Sequence, residues 1–167
     1  YVKPQQMASL TKITGVLGSR YAAHLLRRAT FGPTPSQIET FAGYTADEAL
    51  DRLLDDSAED PLPPLDAVTG QTWVDPSGLN GPARAGSGNS EQDVLFTYFQ
   101  AWHMDVMRQA PLTMKERITW FMHTHLPARW TEINSSEAIY YQNCLFRHYA
   151  YGSFKDLFKK ICVDNAM

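Results

Sequence analysis

The sequence predicts an all-α protein, with several helices in orthogonal or bundle-like packing and one long Gly/Pro-rich loop. Three observations predict it. Apolar residues recur three and four positions apart along most of the chain. Ser or Thr followed three positions later by Gln, Glu or Asp opens segment after segment, as at helix N-termini. No run of alternating apolar and polar residues is long enough for a strand, and no internal repeat appears.

The first helix covers Tyr21 to Arg28, with Ala22, Leu26 and Ala29 at helical spacing. Arg27 and Arg28 suit the negative end of its dipole, and Gly32-Pro33 stops it. Thr34 caps the next helix, with Pro35 at its first position and Gln37 completing a capping box. Thr45 and Glu48 repeat the device before Ala46 to Leu54, whose expected inward stripe is Leu50, Leu53 and Leu54. Residues 61–90 then hold five of the ten prolines and five of the ten glycines, too long a stretch for an ordinary connection. Trp73 is the expected anchor of that loop. Ser90 with Asp93 opens a helix to about Gln109, carrying Phe96, Phe99, His103 and Val106 on one face. Thr113 with Glu116 opens another, which ends at Leu126 before Pro127. Its expected apolar stripe is Met114, Ile118, Phe121 and His125. Ser135 or Ser136 opens a third, with Tyr141, Cys144, Leu145 and His148 inward, and Gly152 ends it. Ser153 caps a last helix from Phe154 to about Cys162. The organisation expected is an N-terminal helical segment (1–60), the loop (61–90) and a helical core segment (91–167), all within one domain.

Composition narrows the function classes. The 167 residues are 44% hydrophobic and 20% charged, which is a folded globular balance. No apolar run approaches the roughly 20 residues needed to span a bilayer, so no transmembrane segment is expected. Residues 1–32 carry five basic residues and no acidic one, while residues 33–66 carry nine acidic residues against Arg52. The two segments can attract one another, which argues against an uncompensated basic face and so against a nucleic-acid partner. Residues 35–54 mimic a helix-turn-helix, but the second helix carries Asp47, Glu48 and Asp51, which phosphate repels. Phosphate loops, dinucleotide fingerprints, Gly-x-Ser-x-Gly elbows, Cys-x-x-Cys pairs and calcium loops are all missing.

The histidines are the candidate chemistry. His123 and His125 stand two apart, and on a helix such residues point about 200° away from one another. They cannot both chelate one ion from a regular helix; zinc proteases space their histidines four apart for this reason. One reading makes His125 a core residue bonded to a carbonyl and His123 a helix-end group, sharing a side with Glu116, Thr119 and Trp120. The other packs three helices so that His103, His125 and His148 converge, with a divalent metal or a haem held through His103, His123, His125 or His148. Arg117 and Arg147 sit in helix interiors. Each either pairs with a carboxylate such as Glu116 or Glu137 or contacts an anion or a partner. Cys144 and Cys162 are candidates for one disulfide in an exported protein and buried thiols otherwise.

Four stretches, HLLRRATFGPTPSQI (24–38), ALDRLL (49–54), PLTMKERITWFMHTHL (111–126) and YYQNCLFRHYAYGSFKDLFKKICVDNAM (140–167), together resemble a bacterial family known as domain of unknown function eighteen-hundred. That family pairs an arginine-rich helix with Phe-Gly and a Thr/Ser-Pro cap. Later come a Phe-Trp-His-x-His-Phe segment and Gln-Asn, Leu, Arg and Gly-Ser/Asn-Phe. The histidines of its motif fall here on His123 and His125. Met122 stands where the family usually has an aromatic, and Asn165 where it has proline. The resemblance implies a longer protein of which this is the N-terminal part, so the remainder of the chain beyond Met167 is an expected partner. The opening at Tyr1 agrees with a trimmed product. It also implies export to the periplasm, cell surface or medium, and a sulfatase-like envelope protein as a second partner. The expected function is a binding or assembly module in the cell envelope. The alternative is part of a metal- or haem-dependent envelope enzyme, an oxidoreductase or hydrolase.

Overall fold

A computed structural model describes residues 13–74 and 88–167. The described residues form eight α-helices and no strand; two isolated bridges, Val16 with Thr45 and Leu65 with Thr72, are the only β pairing among them. The first three helices are α1 (Gly18–Ala29), α2 (Pro35–Ala42) and α3 (Ala46–Leu53). Both expected capping boxes are present: the Thr34 hydroxyl accepts from Gln37 N–H and the Thr45 hydroxyl from Glu48 N–H, while each partner's side chain accepts the cap's own N–H. These helices close on Leu17, Ala22, Leu26, Ala29, Phe41, Ala49 and Leu53. The α3 face differs from expectation. Leu53 is buried, but Leu50 and Leu54 are 43% and 51% exposed, and Ala49 takes the inward line instead. Residues four apart share a line on a helix, so Ala49 brings Leu53 with it, and its small side chain lets α3 come close to its neighbours.

Residues 54–74 run without regular structure. Trp102 Nε1 donates to the Leu62 carbonyl (2.8 Å), and the Asp66 carboxylate accepts from the Val68 and Thr69 amides. Trp73 is 2% exposed, and with Val74 it joins a cluster containing Leu95, Phe99, Ile139 and Tyr140. It anchors this stretch as the sequence suggests. The rest of the expected loop, 75–87, lies outside the described residues. The following helix begins at Gly88, two residues before the Ser90 predicted to open it.

The second half comprises α4 (Gly88–Gln109), α5 (Lys115–His125), the short α6 (Trp130–Ile133), α7 (Ser136–His148) and α8 (Phe154–Ile161). Helix α7 is central and packs against the other four. Ser135 caps it by accepting from Ala138 N–H, and Ser153 caps α8 through Asp156 N–H, both as expected. Buried Ser136 binds α7 to α4: its N–H donates to Gln92 Oε1 and its hydroxyl to the Gln92 carbonyl, each at 3.0 Å. Two expectations for α5 fail. Thr113 does not cap it, since the helix starts at Lys115 after Met114. Its inward face is Glu116, Thr119 and Met122, while Phe121 is 53% exposed and His125 is exposed. The predicted apolar stripe of α5 thus faces partly outward, because its polar line has partners inside. Helix α6 was not predicted; Asn134 ends it in the left-handed conformation at φ 45°.

Candidate functional site

Five side chains from α4, α5 and α7 form a polar row through the interior. Arg147 Nε donates to Glu116 Oε1 (2.6 Å) and Arg147 Nη2 to Glu116 Oε2 (2.9 Å), a bidentate pair joining α7 to α5. Arg147 Nη1 donates to Asn143 Oδ1 (2.8 Å). Asn143 Nδ2 then meets His103 Nε2 at 3.2 Å and His123 Nε2 at 2.9 Å. Glu116, His103, Asn143 and Arg147 are all buried, and His123 is half-buried. Helical spacing accounts for the alignment. Asn143 and Arg147 are one turn apart on α7, Glu116, Thr119 and His123 share a side of α5, and His103 lies one turn after buried Phe99 on α4.

The row fixes its own protonation. A guanidinium only donates, so the Asn143 oxygen must face Arg147 and its NH₂ must face the two imidazoles. Each Nε2 therefore accepts a hydrogen bond, and each ring carries its proton on Nδ1. Burial and the Arg147 cation push His103 down to about 4. Burial, His103 and Arg147 push His123 down to about 3. Burial also opposes the charge of Arg147, but its bonds with Glu116 outweigh that and hold the guanidinium above its usual value. The result is two neutral imidazoles beside a paired charge.

Cavities border the row. One of about 440 Å³ is lined by His103, His123, Trp120, Phe96, Phe99 and Gln142, among others. Another, about 480 Å³, is reached by Glu116, Arg147, Trp102 and Lys115. A third, about 600 Å³, lies between Phe31, Arg117, Trp120 and Met107. Gln142 is fully buried; its amide nitrogen lies 3.4 Å from Asp164 Oδ1, and its Oε1 has no partner among the described residues.

Of the four predicted histidines, the structure brings together His103 and His123. His148 is exposed with its ring edge-on to Tyr149, and His125 is exposed and stacked on Phe121. The convergence of His103, His125 and His148, and the core position expected of His125, are therefore corrected: the α5 and α7 faces are turned by the Glu116–Arg147 pair. Among the described residues no group of three or more His, Cys, Asp or Glu side chains is placed to hold a metal. Two imidazoles sharing an amide donor fall one short of the three protein ligands of a catalytic zinc site, and the amide fills the space between them that a haem iron would need. Cys144 and Cys162 are free thiols, half-buried and exposed, and burial pushes the Cys144 thiol up. Arg147 pairs with Glu116, one of the partners expected for it. Arg117 is exposed over the Phe31 ring at 5.2 Å. Asn143 and Gln142 were not singled out from the sequence; the available signal was two adjacent carboxamides on an apolar helix, one of them a turn before an arginine.

No curated protein and no solved structure matches the chain. A family model does, over residues 24–167, and it includes both histidines of the pair, Asn143, Glu116 and Arg147. The chain accordingly belongs to the family described as Protein of unknown function (DUF1800).

Proposed function

We propose that this chain is the N-terminal helical portion of an exported bacterial protein and acts as a binding module in the cell envelope, docking the remainder of its own chain. One observation carries the reading: an exposed aromatic ridge shared by α5 and α8. Phe121 stacks on His125 at 5.3 Å, His125 meets Phe154 at 6.4 Å, and Phe154 meets Phe158 at 6.3 Å. Phe121, Phe154 and Phe158 are about half exposed, at 53%, 48% and 50%. Helix α8 turns Leu157 and Ile161 inward and leaves its phenylalanines outside. Aromatic side chains grouped in this way cost hydration free energy until something covers them, and such patches mark interaction surfaces. The envelope location and the longer chain are part of the proposal and rest on the family resemblance alone.

Histidine acylation with diethyl pyrocarbonate, read by peptide mass spectrometry, tests it on the full-length protein. His24, His125 and His148 are all exposed in residues 1–167, so His24 and His148 serve as internal standards. The expected outcome is that His24 and His148 react while His125 is spared, and that Phe154→Asp with Phe158→Asp restores its reaction. Equal reaction of His125 and His24 in the full-length protein would refute the docking face.

A further inference from the structure

The 440 Å³ cavity beside the imidazole pair has a wall chemistry that selects a ligand class. Phe96, Phe99 and Trp120 supply flat aromatic surface, and Met104 and Met107 supply polarizable thioethers. No Asp, Glu, Lys or Arg lines it. Trp120 and Met104 are 40% and 64% exposed, so they form a mouth. The size falls within the range of roughly 300–1,000 Å³ typical of small-molecule sites.

The polar groups are few and complementary. Gln142 is 0% exposed, and its Oε1 has no partner among the described residues. A buried acceptor without a donor is a rare and costly feature that calls for a missing partner. The Nε2 atoms of His103 and His123 are both taken by Asn143, which does not line the cavity. What the rings have left to give is the N–H on Nδ1. The site therefore holds one unmet acceptor and imidazole donors between aromatic walls, with the exposed Gln100 carboxamide as the one other polar side chain of the lining. A hydroxyl answers both at once, because it donates to Gln142 and accepts from an imidazole N–H. A carboxylate cannot donate to Gln142 and finds no cation in the wall; an ammonium finds no carboxylate.

We infer that this cavity binds a neutral, planar aromatic molecule bearing a hydroxyl group, a phenol-type ligand. Its ring lies between Phe96, Phe99 and Trp120, and its hydroxyl meets Gln142. The inference is independent of the docking ridge, which lies on α5 and α8 and shares no residue with this cavity.

The test titrates the full-length protein with phenol, toluene and benzoate, following tryptophan fluorescence and the ring signals of His103 and His123 by NMR. Phenol is expected to saturate, shifting both histidines. Toluene, which lacks the hydroxyl, should bind about tenfold more weakly, the loss typical of a missing buried hydrogen bond. Benzoate should bind more weakly than phenol as well. Gln142→Leu is expected to narrow the difference between phenol and toluene, leaving what the imidazole N–H contributes. Trp120→Leu, at the exposed rim, should weaken both. Should the Gln142 variant not fold, the comparison of phenol with toluene in the unmodified protein still decides. Equal binding of the two, or no saturable binding of phenol at millimolar concentration, would overturn the assignment.

Discussion

The carboxamide of Asn143 has one acceptor and two donors, and Arg147 takes the acceptor. Both donors then go to imidazoles, which must stay neutral to receive them. This sets a pH dependence. His103 and His123 titrate at about 4 and about 3 when folded, against roughly 6.5 in an unfolded chain. Below that value the unfolded chain takes up protons that the folded one refuses. Stability is therefore whole above pH about 6.5 and falls as pH drops toward 4, by up to about 1.4 kcal/mol per pH unit for each ring. The carboxylates held below their ordinary values, Glu48, Asp55 and Asp156, start from 4.5 or below, so their contribution comes at lower pH. Urea unfolding at pH about 7 and about 5.5 isolates the imidazoles. His123→Gln keeps an acceptor for Asn143 and should cut the difference in unfolding free energy between the two conditions by roughly half; an unchanged difference would disprove the account. Little of this was legible in the sequence. His103 could be placed on an inward face because it follows Phe99 by one turn, but the role of Asn143 depends on three helices meeting.

Between elements, what could be read and what could not divide along a physical line. Helix starts are largely local: Thr34 and Thr45 close full capping boxes and Ser135 and Ser153 each accept from the amide three residues on, whereas Thr113 does not cap α5, where Glu116 is drawn to Arg147. Helix faces are settled by partners. The Met114–Ile118–Phe121–His125 line of α5 is the more apolar, yet the line with Glu116, Thr119 and His123 is inside. Arg147 reverses the ordinary rule, because a bidentate carboxylate–guanidinium pair is stable away from water only when both members are present. Arg147→Leu alone should strand the Glu116 charge and cost roughly 3–5 kcal/mol. Replacing both, Glu116→Leu with Arg147→Leu, should cost less than either single change. Chemical denaturation of the three variants checks this, and additive losses would show that the pair does not join α5 to α7.

Over the whole molecule, the described residues form three apolar clusters joined by a few polar ties. The basic start and the acidic stretch after it suggested mutual attraction. Lys3 and Lys12 lie outside the described residues; among the described ones, Asp56 and Asp60 pair with Lys115 of α5, at 2.8 and 3.2 Å. The α1–α3 unit meets the rest chiefly at the end of α3. There the Leu53 carbonyl accepts from Met114 N–H and from the Tyr151 hydroxyl, both at 2.8 Å, while Leu112 and Met114 pack on the α1–α3 cluster. A seam of this kind lets one part of a chain open before the other. Tyr151→Phe removes one tie and leaves Leu53 bonded to Met114, so the loss should be about 1 kcal/mol and confined to the seam. Hydrogen exchange by mass spectrometry should then show faster exchange in α1–α3 and unchanged rates in α5 and α7. A uniform rise across all helices would mean that the two halves unfold as one unit and that the Leu53 ties are not a boundary.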